Sequence, residues 1–271
     1  MYDFGAAEEP GTEAFDRPHP LLTASELARV SVEYPWSVLL DAVTPRRDEG
    51  AGRPVLVLPA FYADDRLTRR LRAHLRRLGY RAHPWGLGRN HGLTDEILEG
   101  VPARLDQLHE RYDQPVTVVG WSFGGLLARW LAHQRPRAVR QVVCLGSPWR
   151  PEGERTRTTS MFARSAERHG LSDRAEQVVA TLRRPLPVPA TAIYSRTDGV
   201  LSWRACTLDE ASGCENVAVP SSHVGLVSNP LALAVLADRL AQDPRHPRPF
   251  DWSSCLRRTL LGTGPAALVS A

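Results

Sequence analysis

The segment best suited to covalent chemistry is Gly120-Trp121-Ser122-Phe123-Gly124, followed by Gly125. It comes directly after the β-branched run Val116-Thr117-Val118-Val119 and leads into the helical stretch Leu126-Leu127-Ala128-Arg129-Trp130-Leu131. A serine between strand and helix sits on a turn too tight for ordinary side chains. Glycines on both sides remove the Cβ clashes that such a turn creates. The helix start then sets backbone N–H groups and a positive dipole end beside the hydroxyl. The competing reading is a glycine-rich phosphate turn, but no G-K-[ST] follows and no G-x-G-x-x-G is present.

A serine hydroxyl needs a base before it is an effective nucleophile. On a strand–turn–helix serine the partners follow in the order acid, then histidine. The later histidines are His133, His169, His223 and His246. His133 falls in the helix that leaves the turn, His169 in a long insertion and His246 in a Pro/Arg tail. His223, in Ser221-Ser222-His223-Val224-Gly225, follows the last expected strand and is the expected base. Asp198, in Ser195-Arg196-Thr197-Asp198-Gly199, follows the preceding strand and is the expected acid. Asp209 and Glu210 compete but fall in a stretch read as helical. The acid's task is to orient the imidazole and stabilise its cation. An oxyanion needs two backbone donors. The expected pair is the N–H of Phe123 and that of Phe61, the latter in the loop Pro59-Ala60-Phe61-Tyr62 after the first strand.

These groups need elements to position them. Val55-Leu56-Val57-Leu58 is a run expected as a strand buried on both faces. Leu67, Leu71, Leu75 and Leu78 follow at helical spacing and stop at Gly79. Residues 80–85 predict a weaker strand, and 94–112 a helix with Thr94 as cap. Further strands are expected at 116–119, 139–145, 189–195 and 217–219, with helices at 123–133 and 229–242. This alternation predicts an α/β fold: a doubly wound, mostly parallel sheet with helices on both faces. Leu27, Val30, Tyr34 and Val38 mark an N-terminal helical segment with Ser25 as cap, split or kinked at Pro35. Residues 148–187 break the rhythm and predict a lid or cap insertion rather than a plain loop. The expected division is a loose arm over 1–20, a catalytic domain over 21–249 and a peripheral tail over 250–271.

Composition narrows the classes. The 271 residues are 42% hydrophobic and 24% charged, which excludes disordered, collagen-like and coiled-coil chains. All 34 basic residues are arginine, against 30 acidic ones. The net charge of +4 is spread along the chain, so nucleic acid is not the expected partner. Arg69, Arg70, Arg72, Arg76 and Arg77 form the solvated face of a leucine helix rather than a membrane patch. Cys144, Cys206, Cys214 and Cys255 contain no C-x-x-C pair, and His74, His83 and His91 lack metal-ligand spacing, so no metal is expected, and the serine chemistry above implies no organic cofactor. With no basic start, no apolar leader and no apolar run long enough to span a membrane, a cytoplasmic protein with free thiols is expected. Oligomeric state is not readable.

Together these residues resemble the α/β-hydrolase superfamily on its lipase/esterase side, over about residues 50–242. Gly120–Gly124 is similar to that family's nucleophile elbow. Pro59-Ala60-Phe61 is similar to its oxyanion loop, with Ala60 where glycine is usual. Leu145-Gly146-Ser147-Pro148 is similar to the strand end that leads into a lid, and Asp198-Gly199-Val200 and Ser222-His223 occupy the acid and base positions. The resemblance implies a serine hydrolase acting on a carboxylic ester through an acyl-enzyme. Its partner would be a small-molecule ester with an apolar acyl portion, contacted by Tyr62, Trp121 and Trp149, with Trp121 equally readable as a core residue and Met161-Phe162 as further candidates. The same triad would serve a thioesterase or an acyltransferase, less readily an amidase. A non-catalytic binding protein on this fold is the alternative from a different class.

Overall fold

The computed structural model describes residues 17–43, 46–148, 157–208 and 213–261; for Val43 and residues 157–161 it describes the backbone alone. Six strands form one sheet: β1 (Pro54–Leu58), β2 (Arg81–Pro84), β3 (Val116–Trp121), β4 (Val139–Leu145), β5 (Ala190–Tyr194) and β6 (Cys214–Ala218). Their spatial order is β2-β1-β3-β4-β5-β6, and every neighbouring pair is parallel. β1 and β3 are buried along their whole length, as their β-branched runs require.

Alternation along the strands divides the core into two layers. Leu56, Leu58 and Val118 face α3 (Asp95–Tyr112), α4 (Phe123–Gln134) and α6 (Ala175–Leu182). Val55, Val57, Val119 and Ile193 face α2 (Arg69–Arg77), α7 (Pro230–Ala241) and α8 (Trp252–Leu261). Caps fix the helix starts. Thr94 Oγ1 accepts the Ile97 N–H at 3.4 Å, and Asn229 Oδ1 accepts those of Leu231 and Ala232, with Pro230 at the first helical position. Residues 252–261, expected within a peripheral tail, form α8, whose Cys255 is fully buried. No disulfide joins the four cysteines.

The N-terminal helix departs from expectation twice. α1 (Pro20–Val43) is one continuous helix with Pro35 inside it, and Ser25 lies within the helix, its Oγ donating to the Leu22 carbonyl at 3.1 Å. The proline is tolerated because Ser31 and Pro35 are solvent-exposed, so water can take the carbonyl left without a donor. The helix is also turned inside out. Leu21, Leu27, Val32, Tyr34, Trp36, Val38 and Leu39 are exposed, while its buried residues are Glu26, Ser37 and Asp41. Its polar stripe faces the protein because the groups beneath it are themselves polar. Asp41 accepts from Arg70 at 2.6 Å and from His74 Nδ1 at 2.7 Å, and Arg77 donates to the Asp41 carbonyl.

Strand register aligns the sheet's carboxyl edge. Leu58 lies opposite Gly120, Trp121 opposite Leu145, and Tyr194 opposite Ala218. Phe61, Ser122, Asp198 and His223 each follow within five residues of one of these strand ends. The insertion between β4 and β5 holds α5 (Arg157–His169) and α6.

Candidate active site

Ser122 joins β3 to α4 with φ +51° and ψ −122°, a left-handed conformation that costs a non-glycine residue roughly 1–3 kcal/mol. The surroundings dictate the turn. A Cβ on Gly120 would lie 2.3 Å from the Gly124 carbonyl oxygen, and one on Gly124 would lie 2.4 Å from that of Leu58. Only glycines let helix and strand approach this closely, and the second contact presses the turn against the end of β1. The Ser122 N–H donates to the Leu145 carbonyl at 2.9 Å.

His223 and Asp198 meet beside this turn. His223 Nδ1 lies 2.6 Å from Asp198 Oδ2, and both side chains are buried. Asp198 Oδ1 accepts the N–H groups of Val200 and Leu201, each at 2.8 Å, so the carboxylate is held at both oxygens. The contact at Nδ1 fixes the orientation of the imidazole ring against the carboxylate. Gly146, one residue beyond β4, makes room for the pair. It has φ +51°, and a Cβ there would sit 2.5 Å from Leu226, 3.3 Å from His223 Nδ1 and 3.4 Å from Asp198 Oδ2.

The two expected oxyanion donors lie on a loop and a helix start whose side chains meet. Phe61 lies three residues past β1, and Phe123 is the first residue of α4, where backbone N–H groups have no partner within the helix. Their rings are 5.7 Å apart by centroid, and Phe162 of α5 packs on both at 5.6 Å. α5 is further tied to the loop before α3: Ser165 Oγ donates to the His91 carbonyl at 3.0 Å, and the His91 and His169 rings stack at 3.8 Å. Burial, followed by the neighbouring His169, lowers the pKa of His91.

Of the residues expected to touch substrate, Tyr62 is half-buried beside Phe61 and meets His91 edge-on. Trp121 is 4% exposed and packs in the core. Its Nε1–H donates to the His223 carbonyl at 3.1 Å, so it backs the base loop instead of facing open space. Trp149, and the competing acids Asp209 and Glu210, lie outside the described residues. Phe162 packs on Phe61 and Phe123, whereas the side chain of Met161 is outside the described set. An open cleft of about 560 Å³ lies elsewhere, lined by Trp85, Leu87, Ala103 and Arg104.

A family model described as alpha/beta hydrolase fold matches residues 54–163. The chain has the α/β-hydrolase fold. The matched segment is less than half of the chain, and the parallel sheet order agrees with that fold. Among solved structures, Aspergillus fumigatus lipase B is similar at 20% identity and a TM-score of 0.54. The alignment covers 79% of this chain but only 59% of that lipase. Bacillus licheniformis lipase BlEst2 is similar at 14% identity and a TM-score of 0.54, with 72% of this chain and 95% of that one covered. The pyrethroid hydrolase PytH is similar at 18% identity and 0.52, over 72% and 99%. A search of curated proteins finds no significant sequence match.

Two groups at this hydrolase-fold site were not singled out from sequence as site residues, Gly146 and the carboxylates of α1. Glu26 and Glu33 reach the acid and base loops from outside the matched segment. A signal for them existed. Glu26, Arg29, Glu33, Ser37 and Asp41 recur at helical spacing as one narrow polar stripe on an otherwise apolar helix. A solvated helix carries a broad polar face.

Proposed function

We propose that this protein is a serine hydrolase that cleaves a carboxylic ester through an acyl-enzyme. The observation that carries the reading is the strained Ser122 turn packed against the same strand end, β4, as the Asp198–His223 pair. Ser122 Oγ attacks the ester carbonyl while His223 Nε2 takes its proton, and Asp198 stabilises the imidazolium. The N–H groups of Phe61 and Phe123 hold the resulting oxyanion. Collapse expels the alcohol, which takes the proton from His223. Water, deprotonated by His223, then attacks the acyl-enzyme, and the carboxylic acid leaves as Ser122 regains its proton.

The half-buried rings of Phe61, Tyr62 and Phe162 support an apolar acyl portion. Phe162 rests on both expected oxyanion residues, which supports a lid role for the 148–187 insertion: an acyl chain reaching Ser122 would meet this ring first. The triad proposed here works within a catalytic domain over 21–249.

The test is fluorophosphonate labelling of the wild type beside Ser122→Ala, followed by p-nitrophenyl esters of rising chain length. Labelling and turnover should occur in the wild type and vanish in the variant, with a chain-length optimum that sizes the acyl site. A wild type that neither labels nor turns over any ester would sink the proposal and favour a binding role.

A further inference from the structure

We propose that Glu26 of α1 is a positioning residue for the catalytic pair, joining the backbones of the acid loop and the base loop. The inference rests on the serine-hydrolase reading of Ser122, Asp198 and His223. Glu26 Oε1 accepts the N–H of Gly199 at 2.8 Å and that of His223 itself at 3.1 Å. Oε2 accepts the N–H of Val224 at 3.2 Å. One carboxylate therefore holds the residue after the acid, the base, and the residue after the base. The carboxylate is 6% exposed by residue and anchored by Arg29, which donates to Oε1 at 2.6 Å.

The rest of α1's inner face serves the same two loops. Arg29 also donates to the Thr197 carbonyl at 2.7 Å and the Ser221 carbonyl at 3.3 Å. Thr23 Oγ1 donates to the Gly199 carbonyl at 2.6 Å. Glu33 accepts from the Ser222 N–H at 2.7 Å and the Ser222 hydroxyl at 2.5 Å. Gly199 is fitted to the helix: a Cβ there would lie 2.4 Å from the Leu22 carbonyl oxygen.

A link between the loops exists without α1, since Ser195 Oγ donates to the Ser221 carbonyl at 2.6 Å and accepts the Ser221 N–H at 3.1 Å. That link is three residues before Asp198 and two before His223. It fixes the loop roots and leaves the peptide groups of Gly199 and His223 to Glu26. Charge-assisted bonds to several backbone donors are strong and directional. Their loss would widen the 2.6 Å contact between His223 and Asp198, the contact that selects the Nδ1–H tautomer.

The experiment compares the wild type with Glu26→Ala, Glu26→Gln and, as an outer-face control, Leu27→Ser. Two quantities are read: the fluorophosphonate labelling rate, and the tautomer of His223 from its ring nitrogen-15 shifts. Glu26→Ala should retain its melting transition for the sheet, label about 10²-fold more slowly and give a mixture of tautomers. Glu26→Gln keeps one acceptor oxygen and should recover part of both, and Leu27→Ser should match the wild type. A folded Glu26→Ala protein with wild-type labelling and a pure Nδ1–H tautomer overturns the proposal. If that variant does not fold, Glu26→Gln decides by the same readings. If the wild type itself does not label, the hydrolase reading fails while the tautomer still decides this one: a change in the variants supports it, no change overturns it. A wild type with mixed tautomers overturns it outright.

Discussion

At the scale of single residues, the site depends on a few backbone positions that tolerate no Cβ. Gly146 is the one nearest the His223–Asp198 pair, and a methyl group there would displace Leu226 and crowd the imidazole. Gly146→Ala should keep the sheet folded but slow labelling of Ser122 by about 10²-fold, since a displacement of about 1 Å at reacting groups costs that much. Asp198→Asn probes a different property. The amide keeps the shape but presents a donor where His223 Nδ1–H needs an acceptor, and kcat should fall by roughly 10⁴. Activity should not return at higher pH, because the fault lies in the tautomer and not in the charge. Ester turnover from pH 5 to 10 checks this. The placement of Ser122, Asp198 and His223 at one edge of the sheet is legible in the sequence, because each follows a recognisable strand at a short interval. Trp121 shows the limit of that method. Its place next to Ser122 fits a pocket wall and the core equally, and only alternation along β3 in the structure turns its ring into the core.

At the scale of elements, legibility follows the number of buried faces. β1, β3 and β4 are readable because strands covered on both sides carry apolar runs rich in valine, unbroken over 55–58 and 116–119 apart from Thr117 and interrupted in β4 by Arg140 and Gln141. β6 was read late, at 217–219 instead of Cys214–Ala218, because its first three residues are half-buried at the sheet edge. α1 was legible as a helix but not in its orientation, since periodicity reports a face and not which way it points. Its far end is fixed by Asp41. Burial opposes ionisation of this carboxylate, but hydrogen bonds from His74 and Arg70 outweigh it and hold the pKa down to about 2. A carboxylate whose folded pKa is lowered adds stability above its ordinary value near 4 and loses it as pH falls toward 2. The hold of α1 on α2 should therefore weaken between about pH 4 and 2. Asp41→Asn should remove that dependence and cost about 3 kcal/mol at neutral pH, because it leaves Arg70 and His74 without their buried partner. Urea unfolding at pH 7 and pH 3 measures both effects.

At the scale of the whole molecule, the family match begins at residue 54, after α1 has ended. The two helical layers and the sheet share apolar cores, and α1 belongs to neither of them. It is attached to the rest of the protein mainly by hydrogen bonds and ion pairs. Such an attachment can open as a unit before the core does. Amide hydrogen exchange should find α1 less protected than β3 and α4, and as weakly protected as the residues around Gly199 and Ser222 that it covers. Equal protection of α1 and β3 would show instead that the helix and sheet open together.

The inverted face of α1 then has a consequence for how the protein fails. Undocking it uncovers mostly polar surface, so that step carries a small heat-capacity change and a shallow urea dependence compared with melting of the sheet. Mild warming or dilute urea would silence the protein with the loss of no more helical signal than α1 carries, and cooling or dilution would restore it without refolding of the core. Loss of function and loss of fold would thus be separate events on the temperature axis, with the first reversible.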